Sequence, residues 1–193
     1  MSNGASVSYL KTFLPWIIFA VLPSRSWQWA ALAACVVAVT LIVTELRSGA
    51  RPDALIIEIG SAAYFAVLAV IAFANPHSGV HPYTATISSA VLALIAGLSL
   101  AIGRPFTLGI AKRTTPQEYW KSPLFIRTNV IITAVWTAAF AVTAVVLGML
   151  AHGGNSRSTA ATVVQVAGFV VPMLFTVRYV AYVQAKARGP VKE

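Results

Sequence analysis

Charged residues, and acidic ones above all, are scarce in this chain of 193 residues. Only 10% of the residues are charged and 58% are hydrophobic, whereas a soluble domain carries about 25% charged residues. A soluble protein of this composition lacks the polar side chains to cover its surface, but a helix bundle facing lipid needs no such cover. The composition therefore predicts an integral membrane protein.

The residue types that carry enzyme or metal chemistry are also few. The chain has five Asp and Glu residues, three His and one Cys, and no nucleophile–base signature joins them. The lone Cys35 excludes an intrachain disulfide. His77 and His81 have the i,i+4 spacing of a metal or pH-sensing pair, but the turn-forming residues between them favour exposed loop histidines. We expect no catalysis, no metal and no cofactor.

Long apolar segments predict an all-α bundle of transmembrane helices in one domain, residues 1–193. Five segments are long enough to cross about 30 Å of hydrocarbon: residues 27–44, 54–74, 83–102, 124–151 and 160–183. A sixth, residues 12–22, is only about 16 Å long as a helix. It either crosses as a short tilted span or dips in and returns, and six crossings are favoured. A cleaved signal peptide is disfavoured because Arg25 interrupts the expected small-residue cleavage site.

The basic residues favour one orientation. With six crossings and both termini in the cytoplasm, 12 of the 14 Lys and Arg residues lie on or near the inner side, as the positive-inside rule expects. A re-entrant first segment moves only Lys11 outward. Because topology explains the net charge of +9, that charge does not indicate nucleic acid as a partner. The inner residues are Lys11, Arg47, Arg51, Arg104, Lys112, Arg113, Lys121, Arg127, Arg178, Lys186, Arg188 and Lys192; Arg25 and Arg157 lie outside.

Small residues recur every four positions in the third of these long segments, residues 83–102. This spacing places them along one ridge of a helix, where a second helix can approach closely. The seam serves either packing within the chain or a homodimer. Its members are Ala85, Ser89, Ala93, Gly97 and Ala101.

Residues 103–123 form a hydrophilic loop, predicted to be cytoplasmic and interfacial. Pro105 is placed to begin a short helix that lays Phe106 and Ile110 on the membrane surface. Thr115 and Glu118 have the spacing of a capping box that opens a second helical turn. Ser122-Pro123 is placed to start the next span.

The same loop is either an ordinary positive-inside loop or a docking surface for anionic lipid headgroups or a protein partner. Tyr119 and Trp120 favour headgroup depth, and each cation contributes up to about 1 kcal/mol near an anionic leaflet. The built-in caps and prolines favour the docking surface. Its predicted contact residues are Arg104, Lys112, Arg113, Tyr119, Trp120, Lys121 and Arg127.

Four polar residues are predicted to lie within the membrane: Glu58, Asn129, Gln165 and Arg178. A carboxylate there is costly unless paired, protonated or interfacial, and Arg178 or Arg127 is the expected partner of Glu58. Asn129 shares a helix face with two threonines, and such residues usually make interhelical hydrogen bonds. The alternative is a proton or ion pathway.

Several features together resemble the bacterial intracellular septation protein A family. They are Leu14-Pro15 in the short N-terminal segment, Glu45-Leu46-Arg47 at the end of segment 27–44, Arg104-Pro105 after segment 83–102, Trp120 in the loop, and Trp136 with Phe140 in segment 124–151. The resemblance implies a small multi-pass protein of the bacterial inner membrane. It further implies a role in envelope integrity and division through partner proteins, without catalysis. A small transporter or channel using Glu58 and Arg178 is the alternative.

Overall fold

The computed structural model describes residues 2–22, 26–50 and 52–187. Arg25, Arg51, Arg188 and Lys192, which entered the charge count, lie outside the described residues.

The described chain is entirely helical. Five of its helices are long and apolar enough to cross a membrane, which confirms the predicted class, and their ends fall within a few residues of the predicted ones. The seven α-helices are α1 (Ser2–Val21), α2 (Trp27–Arg47), α3 (Ile56–Ala74), α4 (Thr84–Ala101), α5 (Phe106–Lys112), α6 (Pro123–His152) and α7 (Thr159–Ala187).

The short apolar segment is the second half of α1, a continuous helix that traverses the bundle once. Thr12 bonds Glu58, and two turns later Phe19 contacts Phe65, so α1 runs parallel to α3. At the far end, the Trp27 indole N–H donates to the carbonyl of Pro76, 3.0 Å away. Helix α2 therefore begins where α3 ends, as a crossing segment requires, and α1 does not turn back.

The parallel α1 and α3 define two ends of the bundle. The basic end holds the start of α3, the α2–α3 and α4–α6 connections and the end of α7, and it carries the exposed cations Lys11, Arg47, Arg104, Lys121, Arg127 and Lys186. The opposite, histidine end holds the α3–α4 and α6–α7 loops, with Arg157 and the three His residues. The charge asymmetry read from the sequence thus separates two physical ends.

Aromatic rings from α1, α6 and α7 meet in the middle of the bundle. Phe13 stacks on Trp136 with ring centroids 4.8 Å apart, and meets Phe140 and Phe169 edge-on at 6.0 and 5.5 Å. Phe13 and Trp136 are 4% and 1% exposed. The shortest apolar segment is therefore a central element of the core, because aromatic rings of its neighbouring helices pack closely around Phe13.

The small-residue seam of α4 is used, at least in part, inside the chain. A Cβ at Gly97 would lie 3.5 Å from a methyl of Thr137, and one at Gly148 would lie 3.4 Å from a methyl of Thr86. These two contacts show that α4 and α6 pack antiparallel, with the seam position Gly97 facing α6. Ala101, at the last position of the seam, is exposed. A homodimer through this seam stays a prediction.

The loop after α4 folds differently from its prediction in two respects. Helix α5 forms, but Phe106 and Ile110 are 3% and 2% exposed, so they fill the core instead of lying on the membrane surface. Helix α5 packs against α1, α3 and α6. Burial there removes its two large apolar side chains from the polar interface.

The predicted capping box is also wrong. Residues Gln117–Tyr119 make one 3-10 turn with no side-chain cap hydrogen bond. Pro123 already begins α6, as predicted, so the intervening residues are too few for an α-helix in which Glu118 could reach back. The Thr115 carbonyl instead accepts a 2.8 Å hydrogen bond from the indole of Trp120.

Candidate functional site

A buried ion pair joins α3 to the loop at the basic end. Glu58, in the first turn of α3, is 3% exposed. Its Oε1 accepts a 2.7 Å hydrogen bond from Nη2 of Arg113 and a 2.9 Å hydrogen bond from the hydroxyl of Thr12. Nη1 of Arg113 lies 3.5 Å from Oε1 of Glu45, at the end of α2. Three helices are thus tied to the residue that follows α5.

A close backbone contact sets the position of Arg113. A Cβ at Gly109 would collide with the carbonyl oxygen of Ala54, so α5 approaches the turn before α3 at a distance that only glycine allows. Arg113 follows Gly109 by four residues, and Glu58 follows Ala54 by four. The glycine contact therefore holds the end of α5 beside the start of α3, where the guanidinium of Arg113 reaches the carboxylate of Glu58.

The cluster is unbalanced in charge. Two carboxylates face one guanidinium, and among the described residues no other cation pairs with either acid. The Glu45 side chain is 24% exposed, so the protein surface can solvate it, whereas Glu58 depends on Arg113 and Thr12. Nε of Arg113 is buried and has no hydrogen-bond partner among the described residues. An uncompensated Glu58 would be strongly unfavourable at this depth.

Farther along α1 and α3, towards the histidine end, the hydroxyl groups of the core make hydrogen bonds with neighbouring residues. The Trp16 indole donates to the Ser61 hydroxyl at 2.7 Å, and that hydroxyl donates to the carbonyl of Ile57. Tyr64 and Ser88 share a 2.8 Å hydrogen bond. These contacts link α1, α3 and α4 as interhelical hydrogen bonds do in membranes.

Asn129 lies in a second polar cluster, between α5 and α6. The Thr107 hydroxyl lies 2.7 Å from that of Thr133 and donates to the Asn129 carbonyl at 3.0 Å. The side-chain amide of Asn129 donates within its own helix to Phe125. This cluster fixes α5 against α6. The Thr133 side chain makes the interhelical hydrogen bond that the sequence favoured, whereas the Asn129 side chain bonds within α6 and only its backbone carbonyl reaches α5.

The partners predicted for Glu58 are elsewhere. Arg178 and Arg127 are both exposed, and Arg178 lines a groove on the outside of α7. Gln165 is half-buried and makes no hydrogen bond with a described residue. The structure therefore does not bring the four predicted intramembrane polar residues together. The correct partner, Arg113, was missed because each of these arginines could supply the charge, and only the fold-back of α5 brings Arg113 to Glu58.

Five of the predicted contact residues lie at the basic end, and we call them the basic surface. Lys112 is half-buried and the others are exposed: Arg104, Lys112, Tyr119, Lys121 and Arg127. Nζ of Lys112 lies 5.3 Å from the centroid of the Trp120 ring, a cation–π distance. Trp120 is half-buried and held by Thr115. Trp120 therefore packs beneath the basic surface and restrains Lys112. The side chain of Arg113 points inward to Glu58 and is not part of this surface.

No group of three or more His, Cys, Asp or Glu residues that could hold a metal ion occurs within the described ranges. Comparison of the chain with family models, curated proteins and solved structures gives no match. The geometry of the chain itself is thus the basis for assigning a function.

Proposed function

We propose that this protein is a non-catalytic membrane protein that helps organise the cell envelope or septum, and that its basic surface contacts anionic lipid headgroups or an acidic segment of an envelope protein. The observation that carries the proposal is the order of this surface. The ion pair between Arg113 and Glu58 holds the loop against α3, and the hydrogen bond from the Trp120 indole to Thr115 restrains the loop itself. A surface ordered before contact loses less conformational entropy on binding than a flexible loop does.

The charges of the basic surface suit an anionic partner. Arg104, Lys121 and Arg127 are exposed and make no ion pair with a described residue. Each cation near an anionic leaflet contributes about 1 kcal/mol, and an arginine can bind a phosphate or carboxylate through two hydrogen bonds. The exposed Tyr119 adds an amphipathic ring suited to the interface.

The resemblance to the intracellular septation protein A family supports the biological setting. It suggests a bacterial inner membrane, partners that build or divide the envelope, and cytoplasmic termini. The basic end would then face the cytoplasm, in agreement with the positive-inside rule.

Site-specific photo-crosslinking tests the proposed contact. A photoreactive amino acid replaces Tyr119, which is 53% exposed, in cells that express the full chain. We expect crosslinks to anionic lipid or to one envelope protein, and their loss when Arg104, Lys121 and Arg127 are all changed to Gln. The matched control exchanges Arg for Lys and Lys for Arg at these positions, which keeps the charge. Equal crosslinking in the neutral and charge-retaining variants would refute the proposal.

A second experiment tests the orientation. Cys35 is replaced by Ser, and a single Cys is placed at Thr114, at the basic end, or at Asn155, at the histidine end; both are exposed. A membrane-impermeant maleimide applied to intact cells should label Cys at position 155 and leave position 114 unlabelled until the cells are opened. The reverse pattern would place the basic end outside and contradict the proposed setting.

One observation favours a second function, small-ion or proton transport. Glu58 is a buried carboxylate in a cluster with more acids than cations, and intramembrane acids often serve proton pathways. A proteoliposome flux assay with Glu58→Gln separates the two functions. Flux that this substitution abolishes would favour transport, whereas no flux together with charge-dependent crosslinking would favour the envelope role.

A further inference from the structure

The outer face of α7 carries an arginine at an unusual place. Arg178 is exposed and makes no hydrogen bond or ion pair with any described residue. Two residues earlier, Thr176 accepts a 3.0 Å hydrogen bond from the indole of Trp136 in the aromatic core. Arg178 thus lies at the level of the bundle interior, on the side that faces lipid. A lipid-exposed arginine at this depth is costly unless its side chain reaches the interface or an anionic group.

The surroundings of Arg178 form a groove. Its volume is about 470 Å³, and it is lined by Val171, Leu174, Phe175, Arg178, Tyr179 and Tyr182. The rings of Phe175 and Tyr179 stack with centroids 5.3 Å apart, and Tyr182 continues the row. The groove is therefore apolar towards the histidine end and carries a cation and phenol hydroxyls towards the basic end.

The described residues offer no counter-group for this arginine. Of the five acids, none lies in α4, α6 or α7, and the two within helices α2 and α3, Glu45 and Glu58, are engaged by Arg113. A second copy of the chain would have the same few acidic residues, so it could not readily supply a carboxylate to Arg178 either. Charge complementarity therefore points away from an ion-paired dimer and towards an anionic group of the bilayer.

We propose that this groove binds one anionic phospholipid, with its phosphate on Arg178 and an acyl chain along Val171 and Leu174. Arg178 precedes Gln184, where the polar end of α7 begins, by six residues, or about 9 Å of helix. Its side chain snorkels along the helix to phosphate depth, where the Tyr182 hydroxyl is a second donor. Lys186, two turns beyond Arg178 on the same face, adds positive charge.

Native mass spectrometry of the full-length protein in detergent tests this site, with phosphatidylglycerol and phosphatidylcholine as probes. We expect one phosphatidylglycerol to be retained most tightly by the wild type. Arg178→Gln should weaken that retention about fivefold to tenfold, and Arg178→Lys should keep most of it. Phosphatidylcholine should bind weakly and equally to all variants. Because Arg178 is exposed and makes no hydrogen bond or ion pair with a described residue, these substitutions should leave thermal unfolding in lipid-free detergent unchanged.

Two controls separate this site from the basic surface. Arg157→Gln, at the histidine end, should not change lipid retention. The Arg104, Lys121 and Arg127 triple Gln variant should still hold the tight lipid, so this inference can fail or succeed independently of the proposed function. Unchanged phosphatidylglycerol retention in Arg178→Gln would overturn it. So would a change from dimer to monomer in that variant without loss of lipid, because the groove would then be a protein interface.

Discussion

Replacement of Arg113 by Gln is expected to be the most destabilising single change at the basic end. The substitution removes the guanidinium that lies 2.7 Å from Glu58 and leaves a carboxylate that is 3% exposed with only the Thr12 hydroxyl as a donor. Removing one partner of a buried ion pair costs about 3–5 kcal/mol. Loss of the Arg113–Glu45 contact adds little, because Glu45 is partly exposed to solvent and such pairs contribute at most about 1 kcal/mol.

The double substitution with Glu58→Gln supplies the decisive comparison. A neutral amide at position 58 still accepts the hydrogen bond from Thr12 but no longer needs a cation. The double variant should therefore recover more than half of the stability lost by Arg113→Gln, and the double-mutant cycle should report a coupling of about 2 kcal/mol or more. Arg127→Gln, on the exposed basic surface, is the matched control and should change stability by less than about 0.5 kcal/mol.

Equilibrium unfolding in mixed micelles, followed by tryptophan fluorescence, measures these differences. A loss of less than about 1 kcal/mol in Arg113→Gln, unchanged by Glu58→Gln, would refute the reasoning. Glu58 would then be stable in the bundle without its cation, either protonated or solvated, and the loop would be held by α5 packing alone.

Two further substitutions test the placement of α1 and α5. Phe13→Ala should cost about 3–5 kcal/mol in the same unfolding assay, because the ring stacks on Trp136 in the core, whereas Leu10→Ala, at a 58% exposed position of the same helix, should cost less than about 1 kcal/mol; equal effects would place α1 outside the core. Gly109→Ala should destabilise by about 1–3 kcal/mol, since its Cβ would collide with the Ala54 carbonyl. It should also weaken the Arg113–Glu58 coupling, and an unchanged coupling would show that the glycine contact does not position Arg113.

The sequence was a reliable guide to the long helices but an incomplete guide to the loop. Hydrophobic length identifies a span because about 20 apolar residues have few alternatives to crossing a bilayer. Residues 103–123 are short and polar, and local patterns such as Thr115–Glu118 predict a helix only if enough residues follow to continue it. In the folded chain, Pro123 starts α6 too early for that.

The candidate site also separates what the sequence could predict from what it could not. The need of Glu58 for a partner could be recognised from its position in an apolar segment, because a lone carboxylate there is costly. The identity of the partner could not, since Arg178, Arg127 and Arg113 are equally able to supply the charge. The choice depends on where α5 docks, and a backbone contact at Gly109 decides that.

By itself, then, the sequence determined that this protein is a helical membrane bundle with one basic end, because composition and hydrophobic length depend on no long-range contact. Only the tertiary structure decided that α1 is central, that α5 is buried and that Arg113 belongs to Glu58. These outcomes depend on ring packing around Phe13 and on one close backbone approach, both of which join residues far apart along the chain.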